Sequence, residues 1–166
     1  LPIVVQELAA RKDNAVAELL SRSPFPLPRG ARGAINSFRV AGLRLAIVSA
    51  GGATAARATA TKHFPAGTFE TVVAGEDVRR TKPFPDAYRL AMEQLGVEPH
   101  ECVAIEDTPT GMQAALAAGL RCIVVRPGAP EASGAFVGAT HVASSLLEAA
   151  HWTLSESLPQ RRLLSE

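Results

Sequence analysis

The sequence has few aromatics, six Phe, one Tyr and one Trp in 166 residues, and almost no charge imbalance, with 17 Lys and Arg against 16 Asp and Glu. Its basic residues are scattered, with no basic stripe and no interleaved aromatics, so nothing points to nucleic acid. No apolar run reaches the roughly 20 residues that a membrane-spanning helix needs. The start at Leu1 has no basic leader ahead of a long apolar stretch and does not read as a signal peptide. There are only two cysteines, Cys102 and Cys122, each inside an apolar, strand-like run. That placement suits reduced, buried thiols in a cytoplasmic protein better than a disulfide. A Gly-x-Gly-x-x-Gly after a strand and a phosphate-loop Gly-Lys-Ser/Thr are both absent, which argues against an unrelated nucleotide-binding domain.

With 47% apolar residues, the chain can build the core of one ordinary domain, or of one domain with a fragment of a second. Residues 4–21 read as a helix with Val5, Leu8, Val16, Leu19 and Leu20 on one face. Lys12 falls in that stripe beside Arg11; such a residue either snorkels to water or projects into a polar cleft between two bodies. Pro24, Pro26 and Pro28 then alternate through residues 23–30, which predicts a stiff, extended hinge. The expected organisation is therefore a helix of a separate body over 1–22, a hinge over 23–30 and an α/β core over 31–166. Within the core, helical patterns at 30–41, 53–63, 86–95 and 109–118 alternate with apolar strand patterns at 43–49, 69–74, 102–106 and 121–125. A short strand near His141 and Val142 precedes a C-terminal helix. Alternation of this kind, with strands apolar throughout, predicts a doubly wound parallel sheet covered on both faces.

Ligands of such sheets bind beyond the carboxyl ends of the strands. The first apolar strand stops at Ser49-Ala50-Gly51-Gly52, a hydroxyl followed by small residues that let backbone N–H groups approach an anion. After the second strand comes Thr81-Lys82-Pro83-Phe84-Pro85-Asp86, which holds a lysine on a stiff segment near the same edge. Lys82 there either neutralises a phosphate or is plain surface. The run Cys102-Val103-Ala104-Ile105 ends in Glu106-Asp107, and Thr108 and Pro109 then form a helix start. Adjacent carboxylates at a strand tip are explained by a hard cation such as Mg²⁺, or by a solvated Asp capping the next helix.

Taken in order, Ser49, then Lys82-Pro83-Phe84-Pro85-Asp86, then Glu106-Asp107-Thr108-Pro109-Thr110-Gly111 resembles the haloacid-dehalogenase-like (HAD) superfamily. The similarity is to its β-phosphoglucomutase and phosphoglycolate-phosphatase-like branch, and it runs from about Val5 to about Leu147. It implies a HAD-like Rossmannoid core with the remnant of a helical cap, whose last helix would present Arg11 and Lys12 to the substrate. It further implies that Glu106 and Asp107 hold Mg²⁺. Ser49 and the backbone of Ala50 and Gly51 would bind the transferring phosphoryl group, and Lys82 would neutralise its charge. The substrate class implied is a small phosphorylated metabolite, a sugar phosphate or a phosphoglycolate-like compound.

The family's chemistry uses an Asp-x-Asp pair at the end of its first strand, the first Asp being phosphorylated and the second acting as acid and base. The four aspartates here, Asp13, Asp77, Asp86 and Asp107, contain no such pair. The family's first strand, which is central, is thus expected to lie N-terminal to Leu1. Without it the strands ending at Ser49 and Glu106 are expected to flank a gap, to be filled by an N-terminal segment or a partner strand. The expectation is a Mg²⁺-dependent phosphatase or phosphomutase acting through an aspartyl-phosphate, with this chain alone inactive. The alternative is a catalytically inactive phosphate-binding or regulatory module.

Overall fold

The computed structural model of the protein describes residues 27–128 and 134–157. The helix expected over 4–21, with Arg11 and Lys12, and most of the hinge lie outside the described residues. Among these residues five α-helices and five strands follow one another: α1 (Ala31–Val40), β1 (Ala46–Val48), α2 (Ala53–His63), β2 (Thr71–Val73), α3 (Asp86–Leu95), β3 (Val103–Glu106), α4 (Pro109–Ala117), β4 (Arg121–Val125), β5 (His141–Ala143) and α5 (Leu146–Ser157). Every element expected in the core is present. The regular part of β1 is shorter than the apolar run of 43–49, because its partner β2 offers only three residues in register. Single bonds from Glu70 N–H to the Leu45 carbonyl (2.8 Å) and from Ser49 N–H to the Val73 carbonyl (2.9 Å) carry the ladder one step further at each end.

All strand pairs are parallel, but they form two sheets, β1-β2 and β3-β4-β5. No strand among the described residues lies between β1 and β3, the place where the resemblance puts the family's first strand. Alternation along β4 accounts for its two buried faces. Cys122 and Val124 join a core with Tyr88 and Met92 of α3 and Met112, Ala114 and Ala115 of α4. Ile123 and Val125 point the other way, into a core with Ala143 and Ala149. A third cluster packs Ala34 and Phe38 of α1 against Ala150 of α5, and both Leu45, just before β1, and Ile105 of β3 pack against it. The two sheets therefore share a core without sharing a hydrogen bond.

Helix signals act locally as the sequence predicts. Thr108 caps α4, its hydroxyl accepting the Gly111 N–H at 3.1 Å, with Pro109 at the first helical position. Helix α3 buries Ala87, Tyr88, Ala91 and Met92 on one stripe, whereas α2 buries none of its residues and sits at the periphery. No helix among the described residues is long and apolar enough to cross a membrane.

Ile123 is fully buried at the centre of β4. Ile123→Ala is expected to lower unfolding free energy by about 2–5 kcal/mol, read from urea denaturation; a loss under about 1 kcal/mol would contradict the packing described.

Candidate active site

The carboxyl ends of β1 and β3 are joined by one lysine. Lys82, carried on the segment between β2 and α3, turns inward. Its Nζ donates to the Val48 carbonyl at 2.9 Å and forms an ion pair with Glu106 Oε1. The two side chains are 9% and 8% exposed, so this is a buried pair, and the surface reading of Lys82 is wrong on geometry. A second donor reaches the same carboxylate oxygen: the Tyr88 hydroxyl of α3. Burial, and next the Glu106 charge, raise the Tyr88 hydroxyl well above its ordinary pKa, so it stays a donor. The Lys82 ammonium also lies 5.2 Å from the Tyr88 ring centroid. The same surroundings, burial foremost, push the Cys122 thiol up to about 12.

The other side of the Glu106 carboxylate rests on the first turn of α4. A Cβ built on Gly111 would overlap the carboxyl carbon and both of its oxygens. Glycine at 111 therefore leaves the space in which this carboxylate sits. Asp107, next in the chain, is exposed at the rim.

Ser49 follows Val48 directly, so Lys82 anchors beside the loop of 49–52. Within that loop the Gly51 N–H donates to the Ser49 Oγ at 3.0 Å. Ser49 accepts one bond and keeps its own O–H to donate. The Gly51 N–H, expected to face an anion, is committed to Ser49 in this structure. The segment that carries Lys82 is pinned across its length: Arg80 clasps Asp86 through Nη2–Oδ1 at 2.8 Å and Nε–Oδ2 at 3.1 Å, with its guanidinium 4.8 Å over the Phe84 ring. Those bonds hold the Asp86 carboxyl below its usual range. A surface groove of about 460 Å³ beside β2, lined in part by Arg57, Glu70, Asp77 and Gln94, takes in none of these residues.

Among the described residues no group of three or more His, Cys, Asp or Glu side chains is placed to hold a metal. Two adjacent carboxylates, one of them buried against a glycine-sized space, nevertheless fit a hard, oxygen-preferring cation in donor type.

Similarity to known proteins fits this arrangement. A family model described as haloacid dehalogenase-like hydrolase matches residues 4–119. The chain belongs to this family. Among HAD-like relatives, it is 34% identical over 150 residues to Protein CbbY of Cereibacter sphaeroides, covering 89% of this chain and 65% of that protein. Fructose-1-phosphate phosphatase YqaB of Escherichia coli is 36% identical over 120 residues, covering 72% of this chain and 62% of that one. A crystal structure of CbbY from Rhodobacter sphaeroides in complex with xylulose-(1,5)bisphosphate matches at TM-score 0.76 and 34% identity. That match covers 89% of this chain and 66% of the other. The chain thus spans just under two-thirds of the length of these HAD-like relatives.

Sequence reasoning missed Tyr88 and the spatial role of Gly111. The signal for Tyr88 was available: it is the only tyrosine and lies on the buried stripe of α3, and a buried phenol seeks a partner. Helix propensity alone would have Gly111→Ala stabilise α4 by about 1 kcal/mol. The overlap with Glu106 reverses the sign, and a net loss of about 1–3 kcal/mol in thermal or urea unfolding is expected; a gain would refute the close approach.

Proposed function

We propose that the protein of which this chain forms the core carries out Mg²⁺-dependent phosphoryl transfer from a small phosphorylated metabolite, as a phosphatase or phosphomutase. The observation that carries this reading is the convergence of Lys82, Glu106 and the Ser49 loop at the carboxyl ends of β1 and β3. Lys82 has three N–H donors. Two meet Val48 and Glu106, and the third is available to a phosphoryl oxygen placed over the Ser49 loop. The Ser49 hydroxyl and the Ala50 amide would bind the same group. Preorganised donors aimed at developing charge are the main source of catalysis in such transfers.

Glu106 and Asp107 would hold the Mg²⁺, whose chemistry is to neutralise phosphoryl charge and align the group for in-line attack. The nucleophile of the reading is the first Asp of an Asp-x-Asp pair on a strand between β1 and β3. That Asp attacks phosphorus, the leaving oxygen takes a proton from the second Asp, and water or a second hydroxyl accepts the phosphoryl group from the aspartyl-phosphate. A sugar phosphate is the substrate class favoured by likeness to a fructose-1-phosphate phosphatase and to a protein complexed with xylulose-(1,5)bisphosphate. Arg11 and Lys12 are proposed to contact the part of the substrate remote from the transferred group.

The test is to join the N-terminal segment of the Cereibacter sphaeroides relative, with its first strand, ahead of this chain. Mg²⁺-dependent hydrolysis of p-nitrophenyl phosphate is the expected result. Lys82→Ala in that protein should lower kcat about a hundredfold, as loss of a transition-state charge contact does, and Asp107→Ala should abolish the Mg²⁺ dependence. A folded but inactive product would refute the enzyme reading and favour a phosphate-holding module without turnover.

A further inference from the structure

The positive end of α2 is filled from within the fold. Its N-cap residue, Gly52, has no side chain to offer, yet the Ala53 N–H is satisfied. The Glu76 carboxylate, 23 positions along the chain, accepts it through Oε1 at 2.9 Å. Glu76 lies in a short 3₁₀ turn, Gly75–Asp77, that follows β2. The same turn grips the preceding loop at two more points. The Gly75 N–H donates to the Gly51 carbonyl at 3.0 Å, and a Cβ at 75 would stand 2.6 Å from the Ala50 carbonyl oxygen. Asp77 closes the turn on itself, its Oδ2 accepting the Ala74 N–H at 2.8 Å. An exposed glutamate would ordinarily be solvated surface; among the described residues this one meets a backbone amide and no cation.

We propose that Glu76 is the positioning residue of the phosphoryl loop. It caps α2 from outside the helix's own sequence and so fixes the end of the 49–52 segment opposite Lys82. The Ser49 hydroxyl and Ala50 amide are thereby held in place for the incoming group, and the anion is confined to the loop instead of sliding onto the helix end. The role rests on the reading of Ser49, Ala50 and Lys82 as phosphoryl ligands. It requires an acceptor of glutamate's reach at position 76, and does not require the charge.

Three substitutions in the full chain separate these requirements: Glu76→Gln keeps the acceptor and the reach, Glu76→Asp keeps the charge and loses the reach, and Glu76→Ala loses both. Inorganic phosphate is titrated while the amide resonances of Ser49, Ala50 and Gly51 are followed. Hydrogen exchange of the Ala53 amide and the thermal midpoint are read on the same samples. Glu76→Gln should bind phosphate within about twofold of the parent, whereas Glu76→Asp and Glu76→Ala should bind about fivefold more weakly, as expected for a lost cap. Their Ala53 exchange should also be faster. Faster exchange or a lowered midpoint with unchanged phosphate affinity would make Glu76 a purely structural cap and overturn the proposal. Unchanged exchange in Glu76→Ala would overturn it at the level of the bond itself. If the parent shows no saturable shift at 49–51, the phosphoryl-loop reading fails, and the role of Glu76 toward phosphate fails with it. In that case the Ala53 exchange still reports whether the cap exists.

Discussion

A buried ammonium between two separate sheets is the constraint on which this architecture turns. Burying a lysine and a glutamate costs several kcal/mol per ion unless their remaining polar valences are met. Lys82 and Glu106 meet most of those valences with unlike materials: a backbone carbonyl from β1, a phenol from α3 and each other. Because β1 and β3 exchange no backbone bonds, the pair is a polar link between the sheets at their carboxyl ends, while Leu45 and Ile105 reach one shared apolar cluster from the two sides. Moving the lysine would therefore loosen the joint between sheets as well as the site.

This economy explains why small residues crowd the site. Glu106 has room because position 111 carries no side chain, and the Ser49 loop comes close to the turn after β2 because position 75 carries none. Where two backbones or a backbone and a carboxylate meet at such distances, a methyl group is the difference between fitting and displacement. The loop's own polar groups are also largely spoken for: Gly51 N–H by Ser49, Gly51 carbonyl by Gly75, Ala53 N–H by Glu76. On the proposed reading, an anion would meet the Ser49 hydroxyl and Ala50 amide on a loop with little freedom to reorganise, the condition under which electrostatic stabilisation is most effective.

The sequence made the strand tips legible because polar residues stand where apolar runs stop. Ser49 and Glu106-Asp107 could be placed at one edge from the alternation of elements alone, and Thr108-Pro109 announced the helix that follows. The direction taken by a long side chain could not be read in this way. Lys82 and Glu106 are 24 residues apart, and their meeting depends on which strands neighbour which. The same holds for Glu76, whose Gly-Glu-Asp setting looks like any solvated turn until α2 is folded against it. The partner of the Gly51 amide was not legible for a related reason: a hydroxyl two residues back competes for it, and only the local backbone path decides that they meet.

The most direct test of the account is a double-mutant cycle on the buried pair, with Lys82→Met, Glu106→Leu and their combination followed by urea unfolding. Each single change should cost about 3–5 kcal/mol by stranding a buried charge. The double variant should recover enough to give a coupling energy of about 2–3 kcal/mol. Costs that add to within about 0.5 kcal/mol would mean that Lys82 and Glu106 act independently. The joint between the two sheets, and the site built on it, would then not be as described.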